Sequence, residues 1–141
     1  MDGLSEFHER LAALGDFCSR ERGDRALILT LQGIRALSGP GIETTVRALM
    51  PVWLHPAWDA ARPDDVDGDV GCDLVTLVAR LGQYPYHAAA GRDVRAVLAC
   101  LREHLDERAQ AAIYEVLPET ERALFLGASA CAYDASIGKF L

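Results

Sequence analysis

The densest group of residues able to do chemistry is the run Asp64-Asp65-Val66-Asp67-Gly68-Asp69-Val70-Gly71-Cys72-Asp73. Carboxylates at Asp65, Asp67, Asp69 and Asp73 match positions one, three, five and nine of a calcium loop, and hard oxygen ligands on a glycine-bearing turn are what Ca²⁺ takes. Two requirements of that loop are missing. Val70 stands at the sixth position, where the turn calls for glycine, and Thr76 stands at the twelfth, where a glutamate would bind through both oxygens. The plainer reading is a solvated acidic linker whose last residue, Asp73, caps the next helix.

The other reactive side chains are scattered. His8, His55, His87 and His104 include no pair at the i, i+4 spacing of a helical metal site, and His87 follows Tyr84-Pro85-Tyr86 in what reads as a loop. Cys18, Cys72, Cys100 and Cys131 form no CxxC pair, so thiols rather than a disulfide or metal framework are expected. Cys100 is expected inside an apolar helix, and Cys18 and Cys131 near helix ends. A cysteine nucleophile needs a base beside it, and no histidine pairs with these cysteines in a ligand pattern. GxGxxG, GxxxxGK[ST] and GxSxG are absent. Ser38-Gly39-Pro40-Gly41 precedes a helix, but no lysine follows, so it reads as a turn rather than an anion cradle. No cofactor and no catalytic residue are expected.

The elements that must position these residues are organised by a repeat. Sliding the chain against itself in one gapless register lays Leu11-Ala12-Ala13-Leu14-Gly15-Asp16-Phe17 over Val78-Ala79-Arg80-Leu81-Gly82-Gln83-Tyr84. The same register puts Arg25 over Arg92, Arg35 over Arg102, Leu49-Met50-Pro51 over Val116-Leu117-Pro118, and Trp58 over Phe125. Each unit reads as a string of short helices. Phe7, Leu11 and Leu14 make an amphipathic stripe ending at Gly15, and Leu74, Leu77, Val78 and Leu81 make its equivalent, ending at Gly82. Second helices are expected over 24–37 and 92–105, with Val94, Val97, Leu98, Leu101 and Leu105 on one apolar face and Gly33 interrupting the first of the pair. Third helices follow over 42–50 and 106–117. Pro51 and Pro118 then break the run and start short fourth helices carrying Trp58 and Phe125 inward. The pattern predicts an all-α fold of two related four-helix units in one compact bundle: 1–61, an acidic linker 62–72, 73–128, and a tail 129–141.

The segment Val94-Arg95-Ala96-Val97-Leu98-Ala99-Cys100-Leu101-Arg102-Glu103-His104-Leu105, followed by Leu117-Pro118-Glu119-Thr120-Glu121-Arg122-Ala123-Leu124-Phe125, resembles the bacterial family catalogued as domain of unknown function 2267. The resemblance spans 5–128 when both units are counted and is firmest over 74–126. It rests on packing motifs. Unit one departs from it at Met50-Pro51-Val52-Trp53-Leu54-His55-Pro56. The resemblance implies a helical fold and no particular activity.

Composition limits the function further. Half of the residues are hydrophobic and a quarter charged, a globular balance, and a chain of this length buries roughly 68% of its unfolded surface without staples. The net charge of −7 divides into 7 basic and 12 acidic residues over 1–70, and 7 and 9 over 71–141. Neither half is basic, so nucleic acid is not an expected partner. No apolar run reaches the ~18 residues of a membrane helix. The opening Met1-Asp2-Gly3-Leu4-Ser5-Glu6 lacks a basic n-region, so a cytoplasmic protein is expected. Lys139 is the only lysine and alanine is abundant, a GC-rich coding bias that suggests a bacterium. With no catalytic constellation, the expected function is a non-enzymatic protein-interaction or adaptor module, a homodimer among its forms. One of Trp53 and Trp58 is expected to be exposed in a partner groove. The alternative is a small-molecule or metal sensor, its ligand between the units or at the acidic linker.

Overall fold

The first helix stops where the backbone turns left-handed, at Asp16. The computed structural model describes residues 3–62 and 73–130. Over these it is all helical: α1 (Gly3–Gly15), α2 (Arg20–Ser38), α3 (Pro40–Leu49), a 3-10 turn (Val52–Leu54), α4 (His55–Ala60), α5 (Leu74–Leu81), α6 (His87–His104), α7 (Glu107–Val116) and α8 (Glu119–Ala130). No strand occurs among the described residues.

Several elements have equivalents in the register that lays Leu11 over Val78. α2 and α6 start at equivalent positions, and α3 and α7 share both bounds. α1 gives way at Asp16 and α5 at Gln83, both with φ 53°, the left-handed region that non-glycine residues seldom enter. After each step an aromatic folds back over the preceding glycine. A Cβ on Gly15 would overlap the Phe17 ring, and one on Gly82 would lie 2.6 Å from Tyr84 and 2.8 Å from Leu29. A side chain at either place would have to push the packed aromatic aside.

Side-chain caps set the other boundaries. Ser19 accepts from the Arg22 N–H at the head of α2, Asp73 from Thr76 at the head of α5, and Asp106 from Ala109 at the head of α7. Pro40 opens α3 after Gly39, whose φ of 79° ends α2. The carbonyls that end α6 are taken by Gln110, which donates to those of Arg102 and Leu105. At the end of α3 the His55 ring contacts the Arg47 carbonyl (2.8 Å), and at the equivalent place in the second half Arg122 donates to that of Tyr114.

The two long helices, α2 and α6, run through the middle. α1 and α5 each pack against both of them, α4 lies on α2, α8 on α6, and α3 meets α7. Phe7, Leu27, Leu31, Ile34, Trp58, Leu74, Leu98, Leu101, Ile113 and Phe125 belong to one continuous core. Gly33 does not interrupt its helix. It lies within α2, and a Cβ there would stand 2.5 Å from Leu74 Cδ1, so the missing side chain lets α5 press against α2. Both long helices begin earlier than hydrophobic spacing indicates. Consequently His87 is not a loop residue but the first residue of α6.

Candidate functional site

The calcium-loop residues Asp65, Asp67 and Asp69 lie outside the described residues. Asp73 lies within them as the N-cap of α5. Its Oδ1 accepts from the Thr76 N–H at 2.8 Å, and hydrogen bonding to Thr76 holds its carboxyl below the usual range. Thr76 Oγ1 in turn lies 3.3 Å from His87 Nε2. Among the described residues, no three His, Cys, Asp or Glu side chains are grouped closely enough to hold a metal ion.

The spacing rule applied to His–His pairs passes over a Cys–His pair one helical turn apart. Cys100 and His104, at i, i+4 on α6, bring Sγ and Nδ1 to 3.8 Å. Such a pair invites a nucleophile–base reading, and its hydrogen bonds argue against one. Nδ1 lies 2.9 Å from the Cys100 carbonyl, which can only accept, so Nδ1 carries the hydrogen and donates. The thiol donates to the Phe7 carbonyl at 3.4 Å. Burial pushes the thiol up to about 12, so it is not a thiolate near neutral pH. The imidazole packs against Phe7 (5.1 Å between centroids) and Trp53 (6.1 Å), closing an aromatic cluster between α1, the 3-10 turn and the end of α6. Trp58 is buried at the core and Trp53 is partly buried, so neither tryptophan is the exposed one expected of a partner groove. Cys18 is exposed in the connection between α1 and α2.

His8 is nearly enclosed, with Nε2 3.7 Å from Asp24. Burial and then Arg20 lower its pKa, outweighing Asp24, which keeps it neutral around pH 7.

A polar cluster that sequence reading missed joins α2, α6 and the α5–α6 connection. The Tyr84 hydroxyl donates to Asp93 Oδ2 at 2.6 Å, Arg22 stands 3.7 Å from the same oxygen, and Arg25 donates to the Gly82 carbonyl. Asp93 is 6% exposed. Burial, then Asp93, pushes the tyrosine above its ordinary value. The signal was available in the repeat register, where Phe17 and Ala26 are the apolar equivalents of Tyr84 and Asp93. A polar pair on two aligned apolar positions is the mark of a buried hydrogen bond.

The same comparison isolates Glu121. It is fully buried on α8, and its equivalent in the first half is Leu54, also fully buried. The difference follows from helix length. Phe7 lies inside α1, whose N–H groups beyond the first turn bond within the helix. Its equivalent, Leu74, is the first residue of α5, and its N–H has no intrahelical acceptor. The Glu121 carboxyl faces this N–H and that of the adjacent Val75, whose N–H lies 3.3 Å from Oε2, while Oε1 has no hydrogen-bond partner.

No family model, curated protein or solved structure matches the chain.

Proposed function

We propose that the protein is a non-enzymatic helical interaction module of a bacterial cytoplasm, built from two copies of one helical unit and related to the family of unknown function it resembles. The duplication is supported by the shared bounds of α3 and α7 and by the left-handed steps at Asp16 and Gln83. A role other than catalysis is supported by the state of the Cys100–His104 pair, whose thiol and imidazole hydrogens both point at carbonyls.

The observation that carries the interaction reading is Val52. It is 78% exposed beside the partly buried Trp53, on a short turn held between α3 and α4. An exposed apolar side chain on a turn held by the packed Trp53 costs little ordering entropy on binding. The partner is a protein, a second copy of this chain included. No helix among the described residues is long and apolar enough to cross a membrane.

Sedimentation velocity and cross-linking of the purified chain, with Val52→Asp alongside, test this. The expected result is a dimer or a retained stoichiometric protein partner, lost in the variant while its helical circular dichroism is unchanged. A strict monomer that retains no protein, or an association indifferent to Val52→Asp, overturns it.

A further inference from the structure

Glu121 occupies a position that the fold treats as apolar. Leu54 fills the equivalent place in the first half, and neither side chain has any exposure. The carboxyl faces the backbone N–H groups of Leu74 and Val75 at the head of α5 and its own N–H, the Val75 N–H at 3.3 Å from Oε2, while Oε1 is buried without a hydrogen-bond partner. An ionised carboxylate there would hold charge on an oxygen that neither water nor protein solvates, which costs far more than an unpaired hydroxyl. Helix α5 offers its positive N-terminal end, which favours the anion. Two things oppose it and outweigh the N–H groups: complete burial, with Oε1 left unpartnered, and the ionised Asp73 at the same helix end. Among the described residues Asp73 is the one charged group that acts on the carboxyl, and no charged side chain of α6 or α8 offsets it.

We propose that Glu121 is held as the neutral acid and serves as a proton-controlled latch, its ionisation loosening α8 from the head of α5. In the latched state Oε2 is the carbonyl oxygen that accepts from Val75, and Oε1 carries the proton. Loss of that proton puts a second negative charge beside Asp73 in the dry contact between the two helices. The contact can then relieve the charge only by admitting water, which means moving α8 and the Phe125 side chain it buries. Burial and Asp73 both raise the pKa, and the neighbouring N–H groups only partly offset them.

The sign follows from linkage. A folded-state pKa above the ordinary Glu value of about 4.3 means that the closed state binds the proton more tightly. The stabilisation is complete below that value and is lost as pH rises through the folded pKa. Across that interval the opening equilibrium of α8 grows by up to about tenfold per pH unit, and it levels off above.

Hydrogen exchange of α8 on the full chain, corrected for intrinsic rates between pH 4 and 8, reads this directly. The wild type is expected to lose α8 protection as pH rises, Glu121→Gln to lose the slope, and Glu121→Leu to be protected and flat, as Leu54 foreshadows. Asp73→Asn is expected to move the wild-type transition to lower pH. A carboxyl-carbon NMR titration of Glu121 in the unaltered protein needs no variant to fold. A midpoint at or below the ordinary Glu range, α8 protection that does not fall with pH, or a slope that survives in Glu121→Gln overturns the proposal.

Discussion

Replacing Tyr84 by Phe and Asp93 by Ala, singly and together, tests whether the second half carries a polar pair where the first carries an apolar one. The Tyr84 hydroxyl donates to Asp93 at 2.6 Å, and Asp93 is 6% exposed. A hydrogen bond to a charged acceptor contributes about 1.5–3 kcal/mol, and breaking it from one side leaves the other group buried and under-bonded. Tyr84→Phe leaves the Asp93 carboxylate with Arg22, which is 3.7 Å away with a side chain 49% exposed, a weak replacement. We expect it to cost about 2 kcal/mol. Asp93→Ala strands the phenol and is expected to cost about the same. The double variant recreates the Phe17 and Ala26 arrangement, in which Ala26 is 1% exposed in the same core. It should therefore cost little more than either single change, a coupling of about 2 kcal/mol. Urea unfolding followed by circular dichroism at pH 7 resolves this, since about 2 kcal/mol moves the midpoint by about 1 M at an m-value near about 2 kcal/mol/M. Single effects that add to within about 0.5 kcal/mol would refute the reasoning.

Three further outcomes follow from the described geometry. Gly82→Ala should destabilise the fold by about 1–3 kcal/mol in the same urea assay, because the new methyl meets Tyr84 and Leu29 although the backbone φ of −91° suits alanine. Asp73→Ala should cost about 1 kcal/mol at pH 7 through loss of the α5 cap. The folded pKa of Asp73 is lowered, so the stabilisation it gives is present above the ordinary value of about 3.9 and lost as pH falls through the folded value, a window in which Asp73→Ala and the wild type converge. Alkylation of the native chain at pH 8, read by peptide mass spectrometry, should modify Cys18 well before Cys100, since Cys18 is exposed and the Cys100 thiol is buried and raised to about 12; equal rates would contradict this placement.

The helical class and most of the helices were legible because the information is local. Asp73 before the Leu74, Leu77, Val78 stripe announces a cap and an apolar face within a few residues, and the α5 boundary matches. Pro118 likewise stands immediately before α8. The early starts of α2 and α6 were not legible. Residues 20–23 and 87–91 carry little of the apolar spacing, and their first turns are supported by the Ser19 cap and by packing on neighbouring helices. Gly33 looked like a break because propensity counts its entropy, whereas the close approach that rewards it comes from Leu74, on a helix of the other half.

Site chemistry divides in the same way. The helix periods, the caps, the two glycine–aromatic steps and the acid-rich stretch between the halves could all be read from the chain, because each is set by contacts among near neighbours. That the Cys100 thiol donates a hydrogen bond to a carbonyl on α1, that Tyr84 meets Asp93, and that Glu121 lies buried against the head of α5 were decided by helix packing alone. The protonation and reactivity of these groups depend on burial and on partners brought from other helices. A carboxyl in the first turn of a helix reads the same on a chain whether it will face water or face Val75, and only the packing of α8 tells the two apart.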